Sequence, residues 1–252
     1  MAVVLPTYNE AGSIADCINA FHAMGIVDDI VVVNNNAHPD TTPAVAGTVA
    51  REVLEPIQGY GAAIRRGFLE TASADLVCVC EPDGTFNPDD LSKLLAFMPE
   101  CDLVVGSRTV ATFIWDGANM GWFLRWGNWA VAKLVEMLYN TTSLSDVGCT
   151  FRVMTSQHGE RVLARSTMDG SAFGLEMLLI SAVLRVNMVQ VPVNYHPRVG
   201  ESSVTGDLGK TLRLGFAMIG HVFRMRLRSG SVRVSARSPY PGTQPTPDSR
   251  TR

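Results

Sequence analysis

Leu76-Val77-Cys78-Val79-Cys80 is an unbroken apolar run that stops at Glu81-Pro82-Asp83-Gly84, where two carboxylates lie two residues apart on a turn. A short apolar run closed by Pro and Gly reads as a strand buried on both faces, the kind a parallel sheet makes. Working outward, the same unit recurs. Towards the N-terminus, 2–5 is apolar and closed by Pro6, and 13–24 has helical spacing through Ile14, Cys17, Ile18 and Phe21. Residues 29–33 are β-branched, 53–54 form a weak third strand, and 60–71 is helical with Gly59 and Gly61 at its start. On the other side, 88–98 is helical and 103–105 closes the series. Strands alternating with helices predict an α/β fold: a mixed, mainly parallel, Rossmann-like sheet with helices on both faces.

Beyond Ser107 the pattern changes. Residues 115–139 are long, aromatic and helical in period, 148–154 fits a strand, 174–185 a helix, 187–195 a half-buried strand, and 207–228 a last helix. From Ser229 onward the chain is Ser, Pro, Arg and Thr, with four prolines among the last fourteen residues, a composition that predicts disorder. The expected organisation is one domain over 1–228 and a basic tail over 229–252.

Composition narrows the classes. With 252 residues, 46% of them apolar, there is enough for one large α/β core. A net charge of −3 carries no nucleic-acid signature. The five cysteines are odd in number and lack C-x-x-C spacing, so they read as reduced core residues of a cytoplasmic protein. No basic leader precedes the first strand, and no apolar stretch reaches the roughly 18 residues of a spanning helix. Charge does concentrate at the end, where Arg224, Arg226, Arg228, Arg233, Arg237, Arg250 and Arg252 face only Asp248. An anionic membrane surface and a solvated tail both account for that cluster.

In a parallel sheet, ligands bind at the carboxyl ends of the strands. There the sequence places Thr7, Tyr8, Asn9 and Glu10, then Asn34, Asn35 and Asn36, then Glu81, Asp83 and Thr85, then Ser107 and Arg108. Carboxylates after a buried strand are costly unless a cation joins them, and a hard divalent metal carrying a diphosphate suits Glu81 and Asp83. The competing reading of Asp83-Gly84 is a plain turn. Tyr8 can stack on a base and Glu10 can accept from a sugar or base, or this stretch merely caps a helix. Gly59-Tyr60-Gly61 with Arg65 and Arg66 can present amides and cations to phosphate, or serve backbone geometry alone.

These residues, together with Leu5-Pro6-Thr7-Tyr8-Asn9-Glu10, Gly59-Tyr60-Gly61-Ala62-Ala63 and Gly106-Ser107-Arg108, resemble family 2 glycosyltransferases of the GT-A fold. Asp146-Val147-Gly148-Cys149-Thr150-Phe151-Arg152 is similar to that family's D-x-x-G-F-R segment. Arg198-Val199-Gly200-Glu201-Ser202-Ser203 resembles the R-x-G-E-S-K loop of dolichol- and polyprenyl-phosphate sugar transferases. The resemblance spans residues 2 to about 220. It implies that Pro6, Tyr8 and Glu10 hold the nucleoside, with Val33 and Asn35 beside base or ribose. It implies Mg²⁺ or Mn²⁺ on Glu81 and Asp83, with Pro82 between them, and Arg108, Arg125 and Arg198 facing donor or acceptor phosphates. Three positions depart from the family pattern: Asn34 or Asn35 for an aspartate, Glu81 for the first D-x-D aspartate, and Ser203 for a lysine, with Lys210 the candidate to supply that cation.

The implied reaction moves a hexose from GDP-mannose or UDP-glucose to a polyprenyl or dolichyl phosphate with inversion. A phosphate acceptor is already ionised and needs no strong base, whereas a hydroxyl acceptor does. Asp146 is the first candidate for base or orienter and Glu176 the second, with a local cap and an ion-paired helix residue as their competing readings. The aromatic stretch Phe113, Trp115, Trp122, Phe123, Trp126 and Trp129, with Arg125 and Lys133, fits peripheral contact with lipid headgroups. A helix core, a homo-oligomer interface or a membrane-protein partner fits it too. A glycan hydroxyl acceptor and a non-catalytic nucleotide-sugar-binding module are the rival functions.

Overall fold

The computed structural model describes residues 1–199 and 208–229. Its strands are β1 (Ala2–Thr7), β2 (Asp29–Asn34), β3 (Arg51–Leu54), β4 (Leu76–Val79), β5 (Leu103–Ser107), β6 (Arg152–Thr155) and β7 (Met188–Pro192). They form one sheet in the order β3-β2-β1-β4-β6-β5-β7. Every neighbouring pair is parallel except those of β6, which runs antiparallel to both β4 and β5. Val153 thus pairs with Cys78 on one side and Val104 on the other. The sheet is mainly parallel, as the strand pattern predicts. The strand expected from 148 begins only at Arg152, because the chain before it is spent on a turn around Asp146.

The helices are α1 (Ile14–Ala23), α2 (Thr41–Ala46), α3 (Tyr60–Glu70), α4 (Leu91–Leu95), α5 (Trp122–Tyr139), α6 (Ser156–Leu163), α7 (Phe173–Leu184) and α8 (Leu208–Ser229). Short 3-10 turns at Pro88–Asp90 and Ala111–Phe113 precede α4 and α5. Hence the long helix expected from 115 starts at Trp122, after Gly117 in left-handed backbone and Gly121 as its N-cap. The helices α2 and α6 are short and carry too few large apolar residues to show in the sequence. α6 is polar along most of its length and gains its place from Val162 and from His158, whose Nε2 meets Ser181 Oγ at 2.8 Å.

One hydrophobic cluster joins the sheet to the helices, and β1 is buried along its whole length. The helix α7 is buried nearly all round, between α3 and α6 on one side and α5 and α8 on the other. Cys78, Cys80 and Cys149 are buried, Cys17 and Cys101 half-buried, and all five are free thiols. No helix among the described residues is long and apolar enough to cross a membrane. Residues 200–207, which include most of the Arg198–Ser203 loop motif, and the tail from 230 lie outside the described residues.

Candidate active site

The first strand end builds a carboxylate pocket from its own backbone. Glu10 Oε2 accepts from the N–H groups of Tyr8 (2.6 Å) and Asn9 (2.8 Å) and from Thr7 Oγ1 (3.1 Å). That leaves Oε1 facing outward, where Arg198 Nη2 reaches it at 3.1 Å. The same Nη2 lies 3.1 Å from Asp83 Oδ2. The other Asp83 oxygen, Oδ1, accepts from the backbone N–H (3.0 Å) and hydroxyl (2.5 Å) of Thr85. Arg198 is delivered by the chain after β7, which lies along the 83–85 turn. There His196 N–H donates to the Thr85 carbonyl and Val199 N–H to the Asp83 carbonyl. Ser13 Oγ ties the β1 loop to the same turn through the Pro82 carbonyl at 2.6 Å.

Glu81, half-buried, accepts no hydrogen bond among the described residues. Burial and then the charge of Asp83 push its carboxyl up to about 7, against the pull of Arg198 and Arg108. Glu10 and Asp83 thus share the guanidinium of Arg198, while Glu81 feels both Arg198 and Arg108. Among the described residues no group of three or more His, Cys, Asp or Glu side chains is disposed to hold a metal. The hard oxygen pair Glu81 and Asp83 fits instead a divalent cation that brings its other ligands with it, as one riding on a diphosphate does.

Arg108, at the end of β5, is held from behind. Its Nε and backbone N–H both donate to Asp146 Oδ2, at 2.8 and 3.0 Å, and its Nη2 donates to Oδ1 at 3.0 Å. Gly148 N–H adds a fourth bond to Oδ1 at 2.9 Å. Burial pushes the Asp146 carboxyl upward, but the Arg108 charge and these donors outweigh burial and keep it below the usual carboxylate range. Both oxygens of this buried carboxylate are thus occupied, and they fix the Arg108 guanidinium in place. Gln190 fixes this turn in place, accepting from the N–H groups of Ser145 and Asp146 and donating to the carbonyls of Asp146 and Gly106. The Tyr195 ring lies 5.3 Å from the Arg108 guanidinium.

Several other expected residues are brought elsewhere. Glu176, in the first turn of α7, spends both oxygens on Thr167 and Met168, taking their N–H groups and the Thr167 hydroxyl. It braces that loop. The loop in turn meets the start of α3, where Gly61 and Ala62 N–H donate to the Asp169 carbonyl and Arg65 pairs with the Asp169 side chain. Arg66 pairs with Glu70. The amides and cations expected to face phosphate are therefore used inside the protein. Gly61 is required because a Cβ there would sit 2.5 Å from the Met168 carbonyl. Asn35 spends its amide on the 55–59 loop, donating to the carbonyls of Glu55 and Ile57 and accepting from Gly59 N–H. Gln58 Nε2 donates to the same oxygen at 3.2 Å, so the side-chain amide is occupied by this loop.

Pro6 and Val33 are buried strand residues, whereas Tyr8 is exposed beside Glu10. Arg125 is half-buried on α5. Arg152 is fully buried, bridging the carbonyls of Cys149 (2.7 Å) and Gly174 (2.6 Å), so the segment that contains it is a brace as well as a motif. Sequence reasoning missed Ser13 and Gln190 as site organisers. Ser and Gln are too common for their partners, 69 and 44 residues away, to be read from the chain.

Comparison with known proteins adds to this geometry. The family model described as "Glycosyl transferase family 2" matches residues 2–157. The chain is 30% identical over 211 residues to "Low-salt glycan biosynthesis hexosyltransferase Agl6" of Haloferax volcanii, covering 81% of this chain and 49% of that one. It thus spans about half the length of that relative. It is 29% identical over 234 residues to the "Dolichyl-phosphate hexose transferase" of the same organism, covering 90% of this chain and 96% of that one. Among solved structures it resembles glucosyl-3-phosphoglycerate synthase from Mycobacterium tuberculosis, in complex with Mn²⁺, UDP and glucosyl-3-phosphoglycerate. That likeness has a TM-score of 0.68 and 18% identity, over 89% of this chain and 78% of that one, and it speaks to the fold.

Proposed function

The chain belongs to glycosyl transferase family 2, and from that premise we propose that it moves a hexose from GDP-mannose or UDP-glucose to a polyprenyl phosphate. It works peripherally at the inner face of a membrane, with inversion at the sugar carbon, and residues 1–228 act as one unit. The observation that carries this reading is the meeting of Glu10, Asp83 and Arg198 beside Glu81 at the strand ends.

Mg²⁺ or Mn²⁺ held by Glu81 and Asp83 would neutralise charge on the leaving diphosphate. Arg198, which bridges two carboxylates, turns its remaining N–H groups to the same diphosphate. Arg108 stands as a second fixed charge, held in place by Asp146 before substrate arrives, so that little reorganisation accompanies the reaction. Glu10 and Tyr8 orient the nucleoside. Both candidate bases, Asp146 and Glu176, have their oxygens occupied, which favours an acceptor that arrives already ionised. A lipid phosphate is such an acceptor, and a dolichyl-phosphate hexose transferase among the relatives supports it.

Calorimetry with UDP-glucose and GDP-mannose, with and without Mn²⁺, followed by turnover on a short-chain polyprenyl phosphate, tests the reading. Metal-dependent donor binding and a hexosyl phospholipid detected by mass spectrometry are expected. Donor binding with transfer only to a glycan hydroxyl would overturn the acceptor, and metal-independent binding without any transfer would leave a nucleotide-sugar-binding module.

A further inference from the structure

A cavity of about 230 Å³ lies between α7 and α8, and none of its lining residues belongs to the Glu10, Asp83 and Arg198 cluster. Ile180, Val183 and Met225 form its apolar wall, and Arg165, Arg224 and His221 its polar side. His221 is only 9% exposed, yet neither ring nitrogen has a hydrogen-bond partner. A buried imidazole left without a partner carries a desolvation penalty that a ligand in the cavity would relieve. Glu176 also borders the space, and against its one negative charge stand the guanidiniums of Arg165 and Arg224. The unbalanced charge at the mouth is therefore positive.

The surface around the cavity indicates where a ligand comes from. On α8, Phe223 and Leu227 are exposed beside Arg224 and Arg226, an apolar and cationic face that suits the interface of an anionic membrane. An apolar wall behind a pair of guanidiniums matches one chemistry, an alkyl or prenyl chain ending in a phosphate. We propose that this cavity binds the phosphate headgroup and first chain segment of a membrane lipid. The phosphate lies between Arg165 and Arg224 and takes a hydrogen bond from His221, while the chain packs on Ile180, Val183 and Met225. The site is separate from the strand ends and does not depend on the transfer reaction.

Dodecyl phosphate, titrated into the full chain below its micellar concentration, tests this by calorimetry. The expected result is saturable one-to-one binding that Mn²⁺ with UDP or GDP does not displace. Inorganic phosphate and dodecyl maltoside should each bind at least tenfold more weakly. Val183→Trp, which fills the cavity, and Arg224→Glu, at an exposed helix position that leaves folding intact, should each weaken dodecyl phosphate at least tenfold, whereas Trp122→Ser should leave it unchanged. Inorganic phosphate binding as tightly as dodecyl phosphate would mean a plain anion site and overturn the proposal. Equal affinity in Arg224→Glu, loss of binding in Trp122→Ser, or absence of saturable binding would each overturn it as well.

Discussion

The strand ends and the helical face of α5 and α8 are built on opposite terms. At the strand ends Glu10 and Asp83 are held by Arg198, and Arg108 by Asp146. On the helical face, Trp122 is 76% exposed and Leu227 82% among the described residues. Folding holds the first region together and, among the described residues, leaves the second exposed. Substitutions at the strand ends should therefore appear in stability and chemistry, and those on the helical face in binding alone.

The sharpest way to break that contrast is Asp146→Ala. It leaves Arg108 buried without its counter-charge, a change that costs about 3–5 kcal/mol and should lower the thermal midpoint by roughly 10 °C for a chain this size. Scanning calorimetry checks it. An unchanged midpoint would mean that the Arg108–Asp146 pair, despite its burial, is not part of what holds the β5 end in place. Asp83→Ala comes next. It removes a carboxylate from the proposed cation and frees Arg198, and turnover should fall about 10²–10³-fold, as it does when a group that stabilises developing charge is lost. Single-turnover assays with saturating donor measure it, and a loss below tenfold would remove Asp83 from the chemistry.

A third test uses pH. Glu81 sits at about 7 in the folded chain against an ordinary value of 4.5, raised by burial and by Asp83. A cation must displace its proton, so Mn²⁺ affinity should rise about tenfold between pH 6 and pH 8, followed by electron paramagnetic resonance. The sign for stability is opposite. The contribution of a group raised above its unfolded value is fully present below pH 4.5 and lost as pH rises through 7, so metal-free protein should soften over that range. Glu81→Gln should remove both trends. His158 works the other way: burial lowers it from 6.5 to about 4, so its contribution is lost as pH falls from 6.5 towards 4. The Glu81 effect is therefore read as the difference between wild type and variant.

The same contrast explains what the sequence revealed. Strands 1, 2, 4 and 5 were legible because a buried strand leaves a continuous apolar run, and the residues after each run must fall on one edge of a parallel sheet. Glu10, Glu81, Asp83 and Arg108 followed from that rule alone. The strand within 148–154 was legible but its direction was not, because Arg152-Val153-Met154-Thr155 does not record which way it pairs. The donors that occupy Asp146, Glu176 and Asn35 were equally hidden. A carboxylate or amide type says that it will take hydrogen bonds, and only the fold says from which N–H groups.

The smallest expected effect belongs to the exposed region. Trp122, Trp126 and Trp129 recur at helical spacing on α5, with ring centroids 6.4 and 5.5 Å apart in succession. A ladder of indoles with Lys133 beside it, 5.9 Å from the Trp129 ring, matches a headgroup layer, where an indole can be apolar on one side and wet on the other. Trp122→Ala should leave the thermal midpoint within a degree or two, since that side chain buries little. It should weaken binding to vesicles containing phosphatidylglycerol about fivefold, of the order expected from losing one partly inserted indole, and Trp126→Ala should add a similar factor. Co-sedimentation with vesicles measures both. If vesicle binding is unchanged while the protein turns from oligomer to monomer on light scattering, the ladder is an interface between copies of the chain. The missing partner of this face would then be protein rather than lipid, and the contrast with the self-completed strand ends would stand with a different occupant.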